Sequence, residues 1–119
     1  MSVNKKIIDA LAFLKVPIEA DLYEGAGESY VVFNYADDRG FGHADGEPSD
    51  NKVAMQVHFF MSLKGNPLPF KKNIREALFK AGFTYPAVTI IPETETSKRH
   101  LIFECEILER IGEQQNGKN

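Results

Sequence analysis

The chain has 119 residues, 14 basic and 17 acidic side chains, a formal net charge of −3 and 43% hydrophobic content. That is one domain's length with enough apolar surface for a core, so a disordered polymer is excluded. The acidic balance argues against gripping a phosphate backbone by bulk charge, and the lone Cys105 excludes an internal disulfide or a thiolate metal cluster.

The first segment, "NKKIIDALAFLK", spaces Ile7, Leu11 and Leu14 for one helix face, with Ile8 and Ala12 widening the stripe. Ser2 or Asn4 is the expected cap, and Pro17 ends the helix near Lys15. "PIEADLY" alternates Ile18, Ala20 and Leu22 against Glu19 and Asp21, which predicts a half-buried strand. "EGAGE" reads as a turn, and "SYVVFNYA" as a second strand rich in β-branched and aromatic residues.

Residues 39–52, "RGFGHADGEPSDNK", carry three glycines, a histidine and three acidic residues, and read as a long mobile loop with little to bury. The next run, "KVAMQVHFFMS", puts Val53, Met55, Val57, Phe59 and Met61 on one face, with Gln56, His58 and Phe60 on the other. Then the period changes. Phe70, Ile74, Ala77, Leu78 and Ala81 form a helical stripe, with Asn66 as cap, Pro67 at the first helical position and Gly82 as a left-handed stop. Lys71, Lys72, Arg75 and Lys80 fall on its outer face. "FTYPAVTIIPE" and "RHLIFECEILER" predict a strand pair joined by the polar "TETSK".

The expected architecture is therefore α+β, with two helices on a mostly antiparallel sheet of about five strands, in the order α-β-β-β-α-β-β. One domain over residues 1–111 and a flexible tail at 112–119 complete the expectation. Two helices cover one sheet face, which leaves Phe60 and Ile102 on the other as a candidate partner surface. No apolar run approaches the ~20 residues that span a membrane, and no signal peptide opens the chain, so a cytoplasmic, reduced protein is expected.

Complete chemical constellations are absent from the sequence. "RGFGHADG" lacks the lysine and hydroxyl of a P-loop, and no helix follows it. His43, Asp45, Glu47 and Asp50 are ligand types, but their spacing fits neither calcium nor zinc. Cys105 and His100, five apart on one strand, point to opposite faces, so Cys105 reads as a small buried hydrophobe. No G-x-S-x-G turn appears. The basic helix face includes Glu76 and reads as solvated rather than as a specific nucleic-acid site. The residues alone thus predict a binding or assembly module with no metal, cofactor or catalytic site.

A resemblance sharpens this. "LKVPIEADLYEG", "YVVFNYADD", "FGHADGEPSDNKVAMQVHFFMS", "LPFKKNIREALFKAGF" and "HLIFECEI", in that order, resemble the tail-terminator or tail-to-head joining proteins of long-tailed bacteriophages and prophages. The resemblance covers nearly all of residues 4–109. It implies an α+β fold and a structural virion protein without enzymatic activity. Such a protein acts in the host cytoplasm during assembly and then in the virion tail or neck. Its implied partners are itself as a homo-hexameric ring, the tail tube protein, and the head connector or stopper protein. It implies ring-contact roles for Phe41, His43, Asp45 and Asn51, with "GEPSD" as an insertion in the family's shorter loop. The rival expectation is a small cellular adaptor or regulatory domain that binds protein.

Overall fold

The computed structural model describes residues 2–44 and 46–111, the side chain of Ala44 aside. Helix α1 spans Val3–Leu11, followed by a 3-10 turn at Ala12–Leu14, and helix α2 spans Leu68–Lys80. Strands β1 (Ile18–Ala20), β2 (Tyr30–Ala44), β3 (Glu47–Ser62), β4 (Ala87–Glu93) and β5 (Lys98–Arg110) form one sheet in the spatial order β1-β2-β3-β5-β4. Only the β1–β2 pair is parallel. The α+β class and the chain order of elements are those expected from the sequence. The tail expected at 112–119 lies outside the described residues.

Local chemistry explains the helix ends. The Ser2 hydroxyl accepts the Lys5 N–H at 3.1 Å, which fills one of the orphan donors of the first turn. Lys15 ends the 3-10 turn at φ 56°, and Pro17 follows. The stripe of α1 is narrower than expected. Val3, Ile7 and Leu11 are buried, whereas Ile8 and Ala12 face outward. At α2, the Asn66 side chain accepts the Leu68 N–H at 3.1 Å. Gly82 at φ +107° lets the Phe83 N–H reach back to the Leu78 carbonyl, which closes the helix.

Both helices lie on one sheet face. Ile7, Leu11, Ile74 and Leu78 pack against Val31, Phe33, Val57, Phe59, Leu101 and Phe103, all essentially inaccessible. The period-two burial of β3 and β5 follows from this one-sided cover. The strand predicted over "PIEADLY" is shorter than its alternation suggested. It stops at Ala20, because Asp21 turns to φ 66°, and Leu22 is exposed.

The largest departure from expectation is at residues 39–52. They are not a loop: β2 and β3 run on as paired strands, Arg39 opposite Lys52, Phe41 opposite Asp50, and Ala44 opposite Glu47. Gly46 at φ +80° supplies the left-handed residue of the tight turn. The hairpin overshoots the helices, so the molecule measures 54 × 25 × 24 Å. Its radius of gyration of 15.4 Å exceeds the about 13.5 Å of a compact chain this long. Fast amide exchange throughout this segment is therefore no longer the expectation. In hydrogen-exchange mass spectrometry or NMR, amides of residues 39–44 that face β3 should exchange at least about tenfold more slowly than those of Gly25–Gly27, in an alternating pattern. Uniformly fast exchange would contradict the paired hairpin.

Candidate assembly surface

The sheet face opposite the helices is uncovered among the described residues. Strand register sets it out in rows. Tyr30, Phe60, His100 and Ile91 lie side by side across β2, β3, β5 and β4. The next row is Val32, His58, Ile102 and Thr89, and the one after is Asn34, Gln56, Glu104 and Ala87. Further along come Asp37, Ala54 and Glu106, then Arg39, Lys52 and Leu108, then Phe41, Asp50 and Arg110. The open face is thus aromatic and aliphatic at one end and charged at the other.

The apolar end is organised by stacking. Tyr23 lies on Tyr30 at 4.2 Å between ring centres, Tyr30 on Phe60 at 4.7 Å, and Phe60 on His100 at 4.2 Å. These offset contacts hold large rings half-buried without helix cover. The Tyr23 hydroxyl accepts the Gly27 N–H at 2.8 Å, which ties the "EGAGE" turn to the column. Lys98 reaches over the Tyr30 ring at 5.7 Å and donates to the Glu28 carbonyl at 2.6 Å. Burial, then Glu93 and Tyr23 nearby, raise the Tyr30 hydroxyl above its usual range. A shallow depression of about 340 Å³ beside the column is lined by Asp21, Leu22, Tyr23, Val32, Asn34 and His58, among others.

Beside the rings, His58 Nδ1 and His100 Nε2 lie 2.7 Å apart, and His100 Nδ1 lies 3.0 Å from a Glu93 carboxylate oxygen. In the sequence His58 and His100 fall on separate strands, with no local spacing that joins them. Register unites them: His58 pairs with Ile102, one row from the Phe60–His100 pair.

At the far end, Phe41 is 47% exposed with the Lys52 ammonium 5.7 Å from its ring centre. His43, opposite Pro48, is exposed, and beyond Gly42 at φ +69° its ring and Pro48 turn to the Gly40 side of the arm rather than that of Phe41. Asn51 pairs with Gly40 and Glu109 and belongs to the other sheet face. Asp45 lies outside the described residues. Phe60 and Ile102 sit together at the apolar end, as expected. From Asp50 to Phe60 the strand covers ten residues, or roughly 33 Å. The structure therefore does not bring the hairpin residues and the Phe60–Ile102 patch together within one molecule.

No family model matches the chain, and neither does any curated protein.

Other sequence candidates also find their places. Cys105 pairs with Met55 on the helix side and His100 with Phe60 on the open side, so they do not meet. Burial first, and Glu106 second, push the Cys105 thiol up to about 12. A thiol reagent such as iodoacetamide at pH 8 should leave native Cys105 unmodified and label it once denaturant is added. Labelling at the rate of a free thiol without denaturant would place Cys105 on the wrong face. Arg75, counted with the basic helix face, donates from Nε to the Pro86 carbonyl at 2.9 Å and lies over the Tyr85 ring at 4.8 Å. It joins α2 to the β4 approach. Among the described residues no cluster of three or more His, Cys, Asp or Glu is placed to hold a metal ion, and no helix is long and apolar enough to cross a membrane.

Proposed function

We propose that this chain is a structural subunit of a phage tail, which caps the tail tube as a six-fold ring and offers the head connector a docking surface. The observation that carries the reading is the separation of two patches on one sheet that no helix covers. A cyclic ring is built head to tail, so each subunit needs two different patches that cannot satisfy each other within the chain. The projecting hairpin with Phe41 and His43, and the apolar end with Phe60 and Ile102, meet that requirement. The sequence resemblance over residues 4–109 supports the same role. In this reading the protein works in the host cytoplasm during assembly and in the finished tail or neck. It needs no cofactor.

The net charge of −3 favours a soluble free subunit. The expectation is mainly monomer in dilute solution and a six-fold ring on tube ends, where the tube presents equivalent sites. Negative-stain electron microscopy of the protein mixed with tail tubes tests this directly. Density for a ring at one tube end supports the reading. Tubes that remain bare at saturating protein would sink it.

A further inference from the structure

The Glu93–His100–His58 chain has a fixed sense at neutral pH. The Glu93 carboxylate can only accept, so the Nδ1 of His100 carries the proton between them. Neutral His100 then offers a bare Nε2. At 2.7 Å that nitrogen must receive a proton from the Nδ1 of His58. The Nε2 of His58 is left bare, beside the depression on the open face. One extra proton on either ring keeps an N–H···N contact in place. A second sets two N–H groups against each other at 2.7 Å. The contact sits under an aromatic column: the His100 side chain is 14% exposed, and its ring is stacked by Phe60, which is stacked by Tyr30.

We propose that His58 and His100 form a proton-sensing clip between β3 and β5. The clip holds the open face flat while the pair carries at most one extra proton, and it springs the aromatic column apart when both rings are protonated. The charged and titratable neighbours on every packed element are Glu93 on β4, Glu104 and Lys98 on β5, Tyr30 on β2, and Asp21 and Tyr23 in the segment between β1 and β2. Glu93 bonds His100 and so holds the clip together, while Glu104 favours a charge on His58. Burial, and then His100, lower the proton affinity of His58 below its ordinary 6.5. The folded protein thus binds fewer protons at His58 than the unfolded chain. Its stabilising contribution is complete above pH 6.5 and is lost as pH falls below it. The clip is a property of the face itself, independent of what docks there.

The test is a titration of the isolated protein from pH 8 to 4.5, followed by imidazole ¹⁵N NMR and near-ultraviolet circular dichroism. The chain has four tyrosines and no tryptophan, so the dichroism reports tyrosine packing, that of Tyr23 and Tyr30 included. The expected result is two titration steps for the pair at least one pH unit apart, with the tyrosine signal falling at the second. His58→Gln keeps a donor for His100 and removes the second charge, so it should abolish that fall. Independent titration of both rings, or an acid loss of signal unchanged in H58Q, would overturn the proposal. Should H58Q not fold, the wild-type tautomers at pH 8 decide. Nδ1-protonated His58 with a bare Nε2 supports the clip, and the opposite tautomer overturns it.

Discussion

Replacing Phe103 with alanine should destabilise the protein by about 3–5 kcal/mol, the range seen when a buried aromatic leaves a cavity in a close-packed core. Phe103 is fully buried, paired with Val57 on one side and Val88 on the other, at the centre of the sheet face beneath the helices. No neighbouring strand can shift to fill the space without breaking register. Domains of this size hold only about 5–15 kcal/mol in total, so the variant should unfold at a much lower urea midpoint with an unchanged slope. The adjacent Ile102→Ala is the matched control. Its side chain lies on the open face and is partly exposed, so the loss should stay under about 1.5 kcal/mol. Equal losses at the two positions would mean that the sheet is covered on both faces in solution.

Shortening the hairpin should separate folding from assembly. Phe41 pairs with Asp50, and Gly40 with Asn51. Removing residues 41–50 and joining Gly40 to Asn51 through Asn-Gly therefore preserves register and supplies the favoured two-residue turn. Every buried core residue lies outside the deletion, so the urea midpoint should change little. Ring formation on tubes, by contrast, should be lost, and tails assembled with the variant should lack uniform length by electron microscopy. Tails of normal length would show that the hairpin is not the contact element. A fold lost along with capping would make the arm part of the core rather than an appendage.

Much of the architecture was legible because one face is covered and the other is not. Val53 to Met61 and Leu101 to Ile107 alternate cleanly, and burial follows that alternation residue by residue. The hairpin was not legible for the complementary reason. Beyond Val53 no helix covers either face, so the strands there carry no apolar period, and Gly40, Gly42 and Pro48 read as loop formers. The "DG" at 45–46 is a two-residue hairpin signal, but it usually stands between alternating hydrophobics, which this arm lacks. The histidine clip was hidden differently. His58 and His100 are 42 positions apart, and only the offset of β3 against β5 makes them neighbours. Phe60 and Ile102 were visible because they interrupt polar positions on strands whose phase was already clear.

The pairing of β2 with β3 slips at Ala36, between the Tyr35–Met55 and Asp37–Ala54 pairs. Before the slip, even-numbered residues of β2 face the open side; after it, odd-numbered ones do as far as Gly42, which is how Arg39 and Phe41 come to share a face with Phe60. There is also a consequence for solubility. From Asn34 to Ala44 the outer edge of β2 has no strand beside it among the described residues. A straight bare edge of that length is a template on which any extended chain can grow a sheet. The extra residue bends this one, Asp37, Asp38 and Arg39 put charge along it, and Gly42 at φ +69° breaks its repeat. Removing Ala36 would undo this protection. The arm would keep its partners, with Asp37 still opposite Ala54 and Phe41 opposite Asp50, but its border would run straighter and flatter, open to indiscriminate stacking into fibrils.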